Sequence, residues 1–444
     1  MCNSNRLISM PHFLDILCTL VFAFSAFGKA GILLSSLVLC FVCFQSYSTS
    51  LFLLETCARA ETLESYIEGQ PQLKENVIRE RKFEVTVLAK MFLGEHWARI
   101  YCLTTSFDLY GITWAFCVVF AGTLSELVPI HGAASNGYNL YLVAFVLVSV
   151  PLSCVSILDQ VFVQLVFLGL RVTMVILMVS TLIIALMRPD KEFFDDFPEG
   201  SSRNMTLASV GSTISLIQTC IFGTAFQFAV PGVANICRDR SRVHTFVAIA
   251  ILFVLFSNLL LAVLASIYFA EETDEFSNVN WLTYNGGSSA GITFLVTRIV
   301  SYYIVLMAAV DGLAVYPLNT IPLGEGLMGA FYGTCHRPKD WKTRVAFHLL
   351  ASVPQAIGAF FVQDLGRIAE FAGIFTVLSY TLFPSLLQLA SRRKMLETFE
   401  ELHRLGTLYE HPIFSSVHLA RLFAVLSIVL VIAVITEAIT NVRD

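Results

Sequence analysis

Eleven stretches of this 444-residue chain are long and apolar enough to cross a bilayer, and that recurrence limits the fold more than any other feature. They cover roughly 12–29, 31–54, 99–127, 139–157, 161–187, 207–233, 244–269, 290–315, 345–362, 367–390 and 414–438. The hydrocarbon core offers no water to an open backbone, so segments of this length fold as helices rather than isolated strands. Charged residues are 14% of the chain, against roughly a quarter in soluble proteins, which leaves too little polar surface for solution. The expected fold class is an all-α polytopic membrane protein with about 11 transmembrane helices.

The basic residues test the count, because Lys and Arg favour the cytoplasmic side of short loops. A cytoplasmic N-terminus places Arg6 inside, together with a 55–98 cytoplasmic loop that holds Arg59, Lys74, Arg79, Arg81 and Lys82. Arg238, Arg240 and Arg242 follow on the same side, then Arg337, Lys339, Lys342 and Arg344, then Arg392, Arg393, Lys394 and Arg404. The opposite loops are acidic, with Asp190, Glu192, Asp195, Asp196 and Glu199 in one and Glu271, Glu272, Asp274 and Glu275 in another. Asn204-Met205-Thr206 is an N-x-Thr sequon in an outer loop, which makes Asn204 a candidate glycosylation site. No removable signal peptide is expected, since the first ten residues carry one base and no small-residue cleavage pattern.

Much chemistry is missing. There is no phosphate-binding loop, dinucleotide fingerprint, HExxH or G-x-S-x-G, so an enzyme and an ATP-driven pump are both disfavoured. The eleven cysteines lie mostly in apolar segments without ligand spacing, and they read as small hydrophobes rather than metal ligands. No basic field points to nucleic acid. What remains is a secondary transporter, a channel or an intramembrane enzyme without a coherent catalytic cluster. A channel is the weaker choice, because no polar stripe repeats over several helices.

Polar groups inside the bilayer are costly and usually face a cavity or a partner. Asp15 and Thr19 sit in the first span, Asp108 well inside the third, and Glu126 near that helix's outer end. Arg171, Thr297, Arg298, Ser301 and Asp311 follow in the fifth and eighth, where the arginines either pair with acids across the bundle or snorkel. The sixth span contains Phe222-Gly223-Thr224-Ala225-Phe226-Gln227 and then Pro231-Gly232. Gly223 lets the backbone open and Pro231 removes a donor, so a helix break exposing backbone dipoles and a plain proline kink are both compatible with it. Pro317 ends the eighth span, and the tenth carries Gly373, Thr376, Ser379, Tyr380, Thr381 and Pro384, with Ser379 and Pro384 as gating or packing residues.

Several of these runs together resemble the amino acid/auxin permease family, which includes sodium-coupled neutral and proton-coupled amino acid transporters. Phe27-Gly28-Lys29-Ala30-Gly31-Ile32, followed by Gln45-Ser46-Tyr47-Ser48-Thr49-Ser50 and Leu51-Phe52-Leu53-Leu54, resembles its passage from first to second helix. Phe222 to Pro231 resembles its sixth helix, Ala308 to Pro317-Leu318 its eighth, and Glu370-Phe371-Ala372-Gly373 to Phe383-Pro384 its tenth. The resemblance implies one transporter domain over 1–438, built as a five-plus-five inverted repeat plus one helix. Repeat one would cover about 12–187, repeat two about 207–390, and the extra helix about 414–438. It also implies that helices one and six unwind around the substrate. Thr19, Phe222, Gly223, Thr224, Phe226 and Gln227 are then the substrate-binding candidates, with Pro231 as the helix break. Asp108, Thr297 and Ser301 are the ion-coupling candidates.

The function expected is proton- or sodium-coupled symport of amino acids or similar small zwitterions by alternating access. No cofactor beyond a coupling Na+ or H+ is implied, and the expected contacts are solute and membrane lipid, in the plasma membrane or a lysosomal or other endomembrane. One feature supports a different reading. Within the first span, Leu17 to Phe24 has neither glycine nor proline, and a continuous helix keeps its amides bonded internally. A transport-inactive membrane sensor or scaffold is the corresponding alternative.

Overall fold

A chain this apolar satisfies its backbone with helices, and among the described residues helices carry the whole fold. The computed structural model describes residues 27, 30–69, 76–78, 83–130, 134–154, 161–188, 193–194, 213–237, 239–269, 278–287, 291–332, 340–399 and 406–441. Most of the first expected span, with Thr19, lies outside the described residues, as does Asn204. The helices are α1 (Ile32–Ile67), α2 (Val85–Leu93), α3 (Glu95–Leu127), α4 (Ala134–Leu152), α5 (Val161–Met187), α6 (Thr213–Gly223) and α7 (Val230–Ile236). They continue with α8 (Val243–Phe269), α9 (Gly291–Tyr332), α10 (Trp341–Ser352), α11 (Pro354–Phe361), α12 (Leu365–Val377), α13 (Phe383–Phe399) and α14 (Val417–Asn441). Eight helical stretches among them are long and apolar enough to cross a membrane, and a shorter apolar helix covers Gly137–Leu152. This is an all-α polytopic membrane protein.

Its surface is apolar where a soluble protein's would be charged. Phe246, Ile249, Phe253 and Phe256 recur at spacings of three and four residues along α8 and are 47–67% exposed, a stripe that faces lipid. The polar groups turn inward instead. Within α1, Gln45, Ser46, Ser48, Thr49 and Ser50 are all buried, because α1 is packed on several sides by α6, α7, α8 and α13. The other central helix is α3, which packs against α4, α9, α11 and α12.

Three expected spans depart from single straight helices. The ninth is divided at Val353, where Pro354 opens α11 at a position whose N–H has no helical partner to lose. The eighth runs on through Pro317 and Pro322 to Tyr332, well past the stop expected at Pro317. Asn319 donates to the Val315 carbonyl at 3.1 Å and Thr320 to the Tyr316 carbonyl at 3.0 Å, so side chains serve carbonyls around the prolines. The tenth widens into a π-helical turn at Leu378–Leu382 before α13 begins. Pro384 offers no N–H to the Tyr380 carbonyl four residues earlier, which accounts for the local widening.

The connecting segments sort into two groups. At one end Asn76 bridges Thr407, its side chain donates to the Gly406 carbonyl at 2.8 Å, and Tyr409 meets His244 ring to ring. Burial pushes the Tyr409 phenol up to about 12, so it enters this end as a neutral ring. At the other, Phe194 bridges Tyr284 and packs against Tyr268, Phe269 and Trp281. The segments pairing at the first end come from the basic loops and those at the second from the acidic ones.

Two glycines show how close the central helices come. A Cβ on Gly111 of α3 would lie 2.3 Å from the Ala372 Cβ and 3.3 Å from its Cα, whereas one on Gly169 of α5 would meet nothing within 4 Å. Gly111→Ala must therefore push α3 from α12, and overpacking of this kind costs about 1–3 kcal/mol. Gly169→Ala only gains helix propensity, worth roughly 1 kcal/mol. The two substitutions are expected to move the melting temperature of the detergent-purified protein in opposite directions; equal shifts would mean that the α3–α12 contact is not tight.

Candidate functional site

The sixth span is the one helix whose middle is unwound among the described residues. α6 ends at Gly223, the chain passes Thr224-Ala225-Phe226, a single 3-10 turn covers Gln227–Ala229, and α7 starts at Val230. The Thr224 and Ala225 N–H groups reach back only three residues, to the Ile221 and Phe222 carbonyls at 3.1 and 3.5 Å, so the α-helical ladder stops here. Pro231 lies beyond the opening, as the second residue of α7, where a first-turn proline fits without losing a helical bond. The side chain of Gln227 is what the opening uses.

Buried polar groups must find partners, and the unwound segment takes them from α1. Gln227 Oε1 accepts from the Phe226 N–H at 2.9 Å, and its Nε2 donates to Ser46 Oγ at 3.2 Å and Thr49 Oγ1 at 3.3 Å. Ser46 in turn donates toward Thr224, at 3.2 Å to its hydroxyl and 3.4 Å to its carbonyl. The amide of Gln227 thus acts as a clip that caps the broken end and ties it to α1. The two aromatics diverge. Phe222 packs into the core around Phe116, Tyr316 and Ala372, and Phe226 into the larger core with Cys43, Cys220 and Val230. The break is held open between two apolar walls.

Asp108 makes a second polar cluster. It is fully buried on α3, where Oδ1 accepts from the Thr376 hydroxyl, and Tyr380 faces it from the following turn. Thr105, one turn earlier, donates to Ser379 at 3.3 Å. The π-helical turn therefore lies directly against the acidic face of α3. A carboxylate set among hydroxyls inside a membrane protein is suited to hold a proton or a cation.

The remaining expected residues lie elsewhere. Ser301 donates to the Trp281 carbonyl at 2.6 Å, and Thr297 to the Asn285 carbonyl at 3.1 Å, so both hold the 279–285 segment at the end of α9. Arg298 joins them through the Leu282 carbonyl at 2.8 Å and lies 5.4 Å from the Phe294 ring. Arg171 pairs with Asp311 across α5 and α9, both buried, which answers the choice between pairing and snorkelling for that residue. No group of three or more His, Cys, Asp or Glu able to hold a metal occurs among the described residues.

Ser46 and Thr49 were not among the expected site residues, nor were Gln45, Thr376 and Tyr380. A signal was present: Gln45 to Ser50 is a run of six residues with polar groups inside a segment otherwise apolar on both sides. Sequence spacing does not say which of the six faces the broken helix, since that depends on how α1 is rotated against α6.

The fold is similar to that of one solved transporter. A crystal structure of a mutant manganese transporter from Eremococcus coleocola superposes with a TM-score of 0.51 at 12% identity, over 98% of this chain and 94% of that one. A second mutant of the same transporter aligns at 12% identity with a TM-score of 0.45, over 99% of this chain and 93% of that one. No curated protein matches the sequence. The sequence model described as transmembrane amino acid transporter protein matches residues 17–440, nearly the whole chain. The chain belongs to the transmembrane amino acid transporter family, whose members are secondary transporters of amino acids and related small solutes rather than enzymes.

Proposed function

We propose that this protein binds an amino acid or similar zwitterion at Thr224–Phe226 and moves it by alternating access, coupled to a proton or sodium gradient. The observation that carries the reading is the interrupted helix, whose open backbone is held between α1 and two aromatic walls. Unwound backbone of this kind offers dipoles to the charged ends of a zwitterion at a depth where water does not compete. Gly223 and Thr224 border the open backbone, Phe222 and Phe226 shape it, and Thr19, which lies outside the described residues, belongs to the same reading. Asp108 carries the coupling ion. Thr297 and Ser301 exchange their carbonyl partners for an ion when the 279–285 segment moves away.

The reading includes eleven spans in a five-plus-five inverted repeat plus one helix, with a cytoplasmic N-terminus and Asn204 outside. Pairing of the 76 and 407 segments at one end, and of the 194 and 284 segments at the other, supports an even number of crossings between the members of each pair.

The test is uptake of a labelled amino acid mixture into proteoliposomes under imposed proton and sodium gradients. Gradient-dependent accumulation is expected, and its absence in folded protein would favour the sensor or scaffold. Gln227→Leu removes three hydrogen bonds at the break without removing bulk. At about 1 kcal/mol for each of the two side-chain bonds to α1, the apparent substrate affinity should weaken roughly 5- to 30-fold. Unchanged affinity would move the substrate away from this segment.

A further inference from the structure

The two polar clusters meet at a single turn of the chain. Leu378–Leu382 is π-helical, and Ser379, Tyr380 and Thr381 on it are all buried. Such turns are rare and collect at functional sites. Toward α3, the helix end before the turn gives Thr376 to Asp108, and the turn itself gives Ser379 to Thr105 and sets Tyr380 facing the acid. Toward α1, Thr381 accepts from Gln45 Nε2 at 2.5 Å. Gln45 is followed directly by Ser46, and Thr49 lies one helical turn on; these two hold Gln227 and Thr224 of the broken helix. Neighbouring residues of one turn, Ser379 and Thr381, therefore contact the two clusters separately.

Hydroxyl chemistry gives this junction two states. An ionised carboxylate only accepts, so Thr376 must aim its one hydrogen at Asp108. The same Thr376 hydroxyl lies 2.9 Å from the Ala372 carbonyl, an alternative acceptor. When Asp108 takes up a proton it becomes a donor, Thr376 turns its hydrogen to Ala372, and its oxygen accepts from the acid. The titratable groups that face Asp108 are Tyr380 from the π turn and Tyr101 on α3 itself, with the Thr376 hydroxyl from α12.

We propose that Thr381 and Gln45 are positioning residues that pass the protonation state of Asp108 from the π turn to α1, and through Ser46 and Thr49 to the broken helix. This rests on the reading above, in which the break holds substrate and Asp108 holds the coupling ion. The coupling ion at this junction is a proton. Neither Thr381 nor Gln45 contacts substrate, so their loss separates driven transport from the passage of substrate itself.

The experiment uses the full-length protein in proteoliposomes with an equimolar mixture of radiolabelled amino acids. Two rates are measured: accumulation driven by a pH gradient, and counterflow exchange at equal pH. Thr381→Val is isosteric and removes the hydroxyl, and Gln45→Leu removes its partner. Each is expected to lower pH-driven accumulation about tenfold, within the usual range for coupling between two sites, while counterflow stays within about twofold. Thr381→Ser, which keeps the hydroxyl, should restore accumulation. A parallel fall in both rates, or no change in either, overturns the proposal, because a merely structural contact would move the two together. If Asp108→Asn loses the pH dependence and Thr381→Val keeps it, this proposal fails and the assignment of Asp108 stands. If Asp108→Asn keeps the pH dependence, or the unaltered protein carries no flux, the underlying reading fails as well.

Discussion

Asp108→Asn is expected to leave a folded protein that exchanges substrate but no longer answers to its coupling gradient. The substitution keeps the size of the side chain and an oxygen that can accept from Thr376, so packing against α12 survives. What it removes is the ability to change charge. With a proton as the coupling ion, accumulation under a pH gradient should fall by about tenfold or more, toward the level seen at equal pH. If sodium is the partner instead, the same variant loses sodium dependence, because an amide supplies no net charge to compensate the cation. The assay is gradient-driven uptake beside counterflow in the same vesicles. Dependence on both ions unaltered from the parent would remove Asp108 from the coupling mechanism.

Arg59→Met is expected to be among the most destabilising single changes in the protein. Arg59 and Glu55 lie one turn apart on α1, are both fully buried, and form an ion pair. Arg59 also donates to Gln388 at 2.7 Å and Ser391 at 3.1 Å on α13, and Gln388 returns a bond to Glu55 at 2.8 Å. Removing one member of a buried ion pair typically costs about 3–5 kcal/mol, because the other charge stays desolvated. Replacing both by apolar residues is often close to neutral, so Glu55→Leu with Arg59→Met should recover much of the loss. Arg392, which lies 3.6 Å from Glu55, keeps its closer partner Glu410 at 2.6 Å in that double variant. Arg393→Ala supplies the contrast: its pair with Glu397 is 83% and 53% exposed, and the expected change is about 0–0.5 kcal/mol. Thermal unfolding in detergent reads all three. A double variant no more stable than Arg59→Met would show that the network is held by its hydrogen bonds to α13 rather than by charge balance.

The two ends of the bundle illustrate what pattern alone conveys. Hydropathy marks where helices run, since burial from water is a property of each segment taken by itself, and the alternation of basic and acidic loops sorts those loops into two sets. The same sets pair with each other in the structure, Asn76 with Thr407 and Phe194 with Tyr284. Helix ends were less legible. Pro317 reads as a stop, yet α9 passes through it, and no hydropathy count contains that information.

The candidate site divides in the same way. Gly223, Thr224 and Gln227 stand out as polar or flexible residues in an apolar span, which is a local signal, whereas the location of the opening before Pro231 depends on the Gln227 clip. Thr297 and Ser301 read as hydroxyls at a suitable depth, but the folded chain directs both to the 279–285 segment.

The sequence by itself determined that this chain is helical, lies in a membrane, belongs to its family, and breaks or kinks in its sixth span. Each of these follows from composition, spacing or a run of adjacent residues. Only the tertiary structure decided that Asp108 meets Thr376 and Tyr380, that Gln45 reaches Thr381, and that Ser46 and Thr49 brace the break. Those contacts join residues 178–336 positions apart, and they are fixed by the rotation and depth of each helix against its neighbours. Rotation of that kind is set by packing of whole faces, and no single segment encodes it.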